Sequence, residues 1–437
     1  MTSMTVEPYR EITFDKDGDV NTAQRDALAR LDVTDLVMFA HGWNSSPSAS
    51  TRLYGRFFAP FPQAVGSAPG VRLGYAGVVW PAMRFADEPV PDYGHAGAVS
   101  GPEPGPELDE ESLRGLRELF PGREAVLERL AGLLAEQPEE QAAFDEFGRL
   151  VRELVGGGGE AGGVPASFAA DTDGPAPDDG PAPDDGPAFL SEDTVAVCRM
   201  FTDALAGTGM RVSLGGGLRR LWRGAKEVLR QAAYWAMKRR SGLVGQVGLG
   251  PLLGRLARSS PALRIHLVGH SQGARLMAFA LRGLPDGVRN VKSVTLLQGA
   301  FSHYAFATRL PHGMRGGGAL QGMQHRVDGP VVACHSRHDT ALGVIYPLAS
   351  RLAGDATSVL GVGTRWGAVG FDGIQAVPGS PALTLEAALS RGLPGSGCVS
   401  VDTASVVRRG GPPTGAHSDI CHPELARVVI AAGRIGR

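Results

Sequence analysis

The sequence predicts an α/β protein built on a doubly wound, mostly parallel sheet. Apolar runs typical of strands alternate along the chain with stretches whose apolar residues recur at helical spacing, and this alternation favours parallel strands joined by helices. The runs LVMFA and PVVAC are apolar at every position, as expected for strands buried on both faces of a sheet. Strands are predicted at 35–41, 71–80, 264–268, 291–297, 330–334 and 398–407.

Helices are predicted between and after these strands. The stretch 51–61 suits a short helix, and 218–240 carries an apolar stripe with arginines opposite, which is typical of a helix packed on a core. A further helix is expected at about 243–258. The chain closes on a helix at 423–436, whose proline stands at a favourable first-turn position.

A long block without strand signals separates the second predicted strand from the third. Its part 107–155 is acidic and helical in period, and 156–190 is a low-complexity stretch that contains GPAPDD twice in tandem. Such a stretch buries too little apolar surface to offset the entropy of ordering, so it is predicted to be disordered. We interpret 84–216 as an insertion into a core formed by 1–83 and 217–437.

Composition and sequence pattern limit the partners and the location that we expect for the protein. A hydrophobic content of 43% allows a sizeable core, and the formal net charge of −2 gives no reason to expect nucleic acid or an anionic membrane. No apolar run reaches the roughly 20 residues that span a bilayer. The N-terminus lacks a secretory signal pattern, and the four cysteines show no metal-like spacing. We therefore expect a cytoplasmic protein without a membrane span.

One serine stands between two glycines where a predicted strand meets a predicted helix. The segment Gly269-His270-Ser271-Gln272-Gly273 matches the pattern G-x-S-x-G and does so once in this chain. In a nucleophile elbow the glycines let strand and helix pass close together, and the serine oxygen is lifted out of the sheet. The alternative is a plain glycine turn, since the chain contains 62 glycines.

A second loop is a candidate for binding negative charge. His41-Gly42-Trp43-Asn44 directly follows the run LVMFA. Acyl transfer builds charge on the former carbonyl oxygen, and backbone N–H groups aimed at that oxygen stabilise it. The predicted donors are the Trp43 and Gln272 amides, with Gly42 allowing close approach; the alternative is an ordinary turn at a strand end.

A serine hydroxyl needs a general base, and the base needs an orienting acid. Asp339 directly follows the predicted strand 330–334 and is the predicted acid, although it would also serve as the cap of a helix that begins at Thr340. Asp355 lies later, in a more helical stretch.

The base is expected in the loop before the closing helix. His417 follows a Pro/Gly-rich loop that would let its ring reach the serine, and it is preferred to His422, which precedes Pro423 at the start of that helix. His335 and His338 lie too close in sequence to the acid for the usual chain order.

The order of these features resembles that of the α/β-hydrolase superfamily, in which serine, acid and histidine follow one another along the chain. The resemblance covers 31–81 and 218–437 and is carried by AHGWN, WP, LVGHSQGARL, SRHD and GAHSDI. Within that superfamily the chain resembles an uncharacterised bacterial branch with a serine esterase or lipase-like signature. The resemblance implies an enzyme that acts on a small acyl substrate through an acyl-enzyme, without a metal or organic cofactor. The family core has no counterpart of 84–216.

Two other functions remain open from the sequence. An acyltransferase would use the same three side chains with an acceptor other than water. A non-catalytic binding or regulatory protein would keep the fold and recruit a protein partner through the insertion 84–216.

Overall fold

The computed structural model describes residues 4–85, 87, 105–156, 171–173, 193–210, 217–311, 316–350 and 367–436. The strands are β1 Tyr9–Thr13, β2 Asp35–Ala40, β3 Leu73–Val79, β4 Thr172–Asp173, β5 Arg264–His270, β6 Val291–Leu297, β7 Gly317–Gly318, β8 Pro330–His335, β9 Ala382–Thr384 and β10 Gly397–Asp402.

The centre of the fold is an eight-stranded sheet in the order β1-β3-β2-β5-β6-β8-β10-β9, in which every pairing is parallel. A separate two-stranded antiparallel sheet pairs β4 with β7.

The prediction of an α/β protein with a mostly parallel sheet is confirmed. The predicted strand 291–297 coincides with β6, and the other predictions differ by a few residues at their ends. The largest difference is at 398–407, where β10 ends at Asp402 because the chain then turns: the amides of Val406 and Val407 both donate to the carbonyl of Thr403. The edge strands β1 and β9 were not predicted, since one is largely polar and the other has three residues.

Helices lie on both faces of the sheet. Two segments of π-helix, Val244–Leu249 and Ala341–Ile345, each directly precede an α-helix. The α-helices are α1 Thr22–Ala29, α2 Pro47–Phe58, α3 Phe61–Val65, α4 Glu110–Leu119, α5 Glu124–Glu136, α6 Gln141–Gly156, α7 Thr194–Gly207, α8 Trp222–Leu243, α9 Gly250–Ser259, α10 Gln272–Ala280, α11 Tyr346–Ser350, α12 Val369–Asp372, α13 Leu385–Ser390 and α14 Pro423–Gly433.

Alternate residues of the central strands pack into two separate apolar cores. In β2, Leu36 and Met38 pack with residues of α1 and α8–α10, whereas Val37 and Phe39 pack with residues of α2, α3 and α14. Strands that are apolar at every position are therefore explained by burial on both faces.

The predicted insertion contributes helices to the first of these cores. The stretch 107–155, which has a helical period in the sequence, forms three separate helices, with breaks near Pro121 and Pro138. Helix α7 was not predicted. The indole of Trp222, at the start of α8, stacks on Phe144 of α6 with ring centroids 4.4 Å apart, and its Nε1 donates to the carbonyl of Pro138 at 2.8 Å. These contacts fix the inserted helices on α8.

Most of the low-complexity stretch 156–190 lies outside the described residues. Within it, residues 171–173 are placed, and β4 pairs with the glycines of β7. This differs from the disorder predicted for the whole stretch, because Asp171 is buried and paired with cations, as described below. No helix among the described residues is both long and apolar enough to cross a membrane.

Candidate active site

Strand β5 ends directly before Ser271, and α10 begins directly after it. Ser271 has φ 57° and ψ −122°, in a region that residues with a side chain seldom occupy and that costs about 1–3 kcal/mol. A Cβ on Gly269 would collide with the carbonyl of Gly273, and one on Gly273 would collide with the carbonyls of Ala40 and His41. The two glycines therefore permit the close passage of strand and helix that the motif predicts.

Three side chains from distant parts of the chain form one line of hydrogen bonds. The Oγ of Ser271 lies 2.9 Å from Nε2 of His417, and Nδ1 of His417 lies 2.7 Å from Oδ2 of Asp339. Since a carboxylate only accepts, Nδ1 donates to Asp339 and the lone pair of Nε2 faces the serine hydroxyl. Ser271 is 2% exposed, the Asp339 side chain is 0% exposed and the His417 side chain is 12% exposed.

The three residues follow the carboxyl ends of β5, β8 and β10, which lie at one edge of the sheet. The Oδ1 of Asp339 accepts the amide of Leu342 at 3.0 Å, so the carboxylate both caps the following turn and binds His417. The amide of Ala416 donates to the carbonyl of His338 at 2.8 Å. The loop that carries the histidine is therefore tied to the loop that carries the acid.

Two of the competing histidines, His422 and His335, form hydrogen bonds outside this line. His422 precedes α14 and pairs with Asp419 through Nε2 at 2.8 Å, and His335 directs Nδ1 to the carbonyl of Phe371 at 3.3 Å. The backbone carbonyl of His338 accepts the Ala416 amide. Asp355 lies outside the described residues.

The loop 41–44 lies against the serine. A Cβ on Gly42 would be 2.9 Å from Cβ of Ser271, so a glycine here allows the close approach expected from the sequence. His41 donates from Nδ1 to the carbonyl of Gly42 at 2.7 Å and accepts the amide of Trp80 on Nε2 at 3.4 Å. Burial lowers the pKa of His41 to about 4, which keeps the ring in the neutral form that both bonds require.

The remaining residues of this loop are held by its neighbours. Asn44 is buried, has φ 50°, and accepts the amide of Phe85 on its Oδ1 at 2.9 Å. The indole of Trp80 donates to the carbonyl of His41 at 2.9 Å. Trp80 is buried in the first apolar core, so it joins this loop to that core.

Aromatic side chains surround the serine on the side of α8. Tyr234 donates its hydroxyl to the carbonyl of Ala300 at 2.9 Å, and its own carbonyl accepts the Gln272 side chain at 3.2 Å. The amide of Ala300 in turn donates to the carbonyl of Ser271 at 3.1 Å. The Tyr234 ring meets that of Trp43 edge to face, with centroids 5.4 Å apart. Tyr234 thus lies beside the candidate nucleophile.

A buried ion cluster supports the helix that follows the serine. Asp171 lies 2.5 Å from Nζ of Lys238 on α8 and 2.9 Å from Nε of Arg275 on α10. Burial alone would raise the pKa of Asp171, but the two cations outweigh it and lower the pKa. Asp171 therefore joins the low-complexity stretch to both helices beside Ser271.

A second Ser–His–Asp set occurs at the amino ends of the strands. Nε2 of His266 lies 3.0 Å from Oδ1 of Asp35, and its Nδ1 lies 3.1 Å from Oγ of Ser293. His266 and Ser293 are 0% exposed. As in the first set, one ring nitrogen of the histidine bonds the carboxylate and the other bonds the serine. Here Nε2 bonds the carboxylate and Nδ1 bonds the serine, which is the reverse of the arrangement at His417.

Sequence reasoning missed two contributors to the first site. Asp171 stood in the low-complexity stretch just before the GPAPDD repeats, and Tyr234 was one residue of a long helix whose packing partner no pattern specified. No local signal in the sequence distinguishes these residues from their neighbours.

Comparisons with protein-family models, with curated proteins and with solved structures give no match. Among the described residues, no group of three or more histidine, cysteine or acidic side chains comes together as a metal site.

Proposed function

We propose that this protein is a serine hydrolase of the α/β-hydrolase type, which cleaves carboxylic esters or related acyl compounds through an acyl-enzyme. The observation that supports the proposal most is the unbroken line of hydrogen bonds from Ser271 through His417 to Asp339, at the point where a strained strand-to-helix turn presents the serine. Geometry of this kind is the signature of an activated nucleophile.

The first step transfers the acyl group to the serine. As Oγ of Ser271 bonds to the acyl carbon, its proton passes to Nε2 of His417, and the imidazolium is stabilised by the carboxylate of Asp339. The tetrahedral intermediate collapses when His417 returns the proton to the leaving oxygen and the alcohol departs. Water then attacks the acyl-enzyme by the same route, and the carboxylic acid is released.

The amides of Gln272 and Trp43 are the proposed donors to the oxyanion. The Gln272 amide opens α10, whose N-terminus favours negative charge. The bond from His41 holds the carbonyl of Gly42, and in a trans peptide the following N–H points the opposite way, so the Trp43 amide faces away from His41. Each such donor contributes about 3–4 kcal/mol to the barrier reduction.

Substitution of the serine tests the proposal, and the chain offers a matched control. Ser271→Ala should lower the turnover of short p-nitrophenyl esters by about 10⁴-fold or more, because the nucleophile is lost. Ser293→Ala removes a hydroxyl from a Ser–His–Asp set whose serine and histidine are fully buried, and should change the turnover by less than about threefold, since it costs only about 1 kcal/mol of stability. Wild-type turnover in folded Ser271→Ala would show that Ser271 is not the nucleophile.

A further inference from the structure

His270, the last residue of β5, reaches from the strand to the loop that carries His417. Its side chain is buried, with 3% of the residue exposed, and Nε2 lies 2.8 Å from the backbone oxygen of His417. A carbonyl oxygen only accepts, so Nε2 carries the hydrogen and donates. The two imidazole rings lie side by side, with centroids 5.0 Å apart and planes inclined at 44°.

This bond joins the loop to a different segment of the chain from two other hydrogen bonds that hold it. The amide of Ala416 donates to the carbonyl of His338 at 2.8 Å, and Oγ1 of Thr340 donates to the carbonyl of Pro413 at 2.6 Å. Both bonds tie the loop to the segment that contains the acid. The bond from His270 ties it to the strand that ends at the serine, and so constrains the separation between Ser271 and His417.

The other side of the His270 ring faces the loop 41–44. A Cβ on Gly42 would lie 3.2 Å from Nδ1 of His270. This nitrogen is buried and has no hydrogen-bond partner among the described residues, and it carries only a lone pair because the hydrogen is on Nε2. Burial, together with nearby His417, lowers the pKa of His270 to about 3, so the ring is neutral near pH 7.

We propose that His270 is a positioning residue, whose Nε2–H fixes the backbone of His417 and thereby holds the imidazole of His417 at hydrogen-bond distance from Ser271. Its kinetic consequence rests on the proposed hydrolase function, whereas the positional claim rests on the hydrogen bond alone. A proton transfer is sensitive to such placement, since a shift of about 1 Å can cost on the order of 10²-fold in rate.

Two amide variants separate the hydrogen bond from the bulk of the ring. The amide of His270→Gln can reach the position of Nε2, whereas the shorter amide of His270→Asn reaches only the position of Nδ1. We expect His270→Gln to keep kcat for p-nitrophenyl esters within about threefold, and His270→Asn to lower kcat by at least about tenfold with little change in KM. Thermal unfolding of both variants checks their stability.

A second readout does not depend on activity. The hydrogen between Nδ1 of His417 and Asp339 should give a downfield proton resonance, assigned with ¹⁵N-labelled histidine, in the wild type and in His270→Gln. We expect this resonance to weaken or disappear in His270→Asn, because a displaced imidazole leaves the hydrogen open to exchange with water.

The outcomes are distinct. If wild-type protein hydrolyses no ester while the resonance follows the expected pattern, the proposed function fails and the positioning role stands. If His270→Asn keeps both the wild-type resonance and the wild-type kcat, the positioning role is wrong. Equal losses in both variants, matched by equal falls in the unfolding temperature, would also overturn it and show that His270 only fills space.

Discussion

Two hydrogen-bonded Ser–His–Asp sets lie at opposite ends of the same sheet. At the carboxyl ends of the strands, Ser271 is joined through His417 to Asp339; the set at the amino ends is Ser293, His266 and Asp35. Their donor–acceptor distances span 2.7–3.1 Å. The hydrogen bonds alone therefore do not distinguish a site that can react from one that stabilises the core.

The backbone around each serine makes the first difference. Ser271 has a positive φ and stands at the N-terminus of α10, where free amides can bind an oxyanion. Ser293 lies within β6, where it pairs with His266 of β5 next to an irregularity in the register, and the following residue, Val294, pairs with both β5 and β8. Of the two serines, only Ser271 is followed directly by the N-terminus of a helix.

Access makes the second difference. The His417 side chain is 12% exposed, so it reaches the protein surface. His266 has no exposed surface, and Gly433 of α14 packs directly against its ring. A reactive set thus needs a route for substrate and water, which the amino-end set lacks.

Substitution of the two histidines should separate the roles most strongly. His417→Ala should lower kcat by about 10⁴- to 10⁶-fold because the proposed general base is lost, while the free energy of unfolding changes little. His266→Ala should instead lower the free energy of unfolding by about 3 kcal/mol, since the buried Asp35 loses the hydrogen bond from His266 and keeps Thr34 and Arg264 as partners, and the folded variant should keep its activity. Ester kinetics and urea unfolding measure the two effects. If the two variants lost kcat equally while folded, the comparison would fail.

The pH dependence of stability should give a smaller effect. Burial lowers the pKa of His270 to about 3 and that of His41 to about 4, and it also lowers the pKa of His266. The unfolded chain therefore binds more protons than the folded chain below about pH 6.5, and stability is lost as the pH falls from there. Each such histidine should contribute a slope of up to about 1.4 kcal/mol per pH unit.

Urea unfolding between pH 7 and pH 5 measures that slope. His270→Gln should reduce it by the share of one histidine, because the glutamine does not titrate. An unchanged slope in this variant would mean that His270 titrates as freely in the folded protein as in the unfolded chain.

The sequence predicted the central strands and the order of the candidate site because both leave local marks. Strands such as β6 are apolar throughout, and Ser271 stands in a glycine-flanked motif after a strand. The edge strands β1 and β9 leave no such mark, since an edge strand can be short or polar. The role of Asp171 depends on cations far along the chain, at Lys238 and Arg275, so no local pattern could reveal it.

Chemical labelling of the serines tests the central claim most directly. The intact protein is treated with a fluorophosphonate, digested, and the modified peptide is identified by mass spectrometry. Label on Ser271 and none on Ser293 is the predicted result, because of the two serines only Ser271 is hydrogen-bonded to a histidine that reaches the protein surface. A folded protein that stays unlabelled at Ser271, or that is labelled equally at Ser293, would contradict the account.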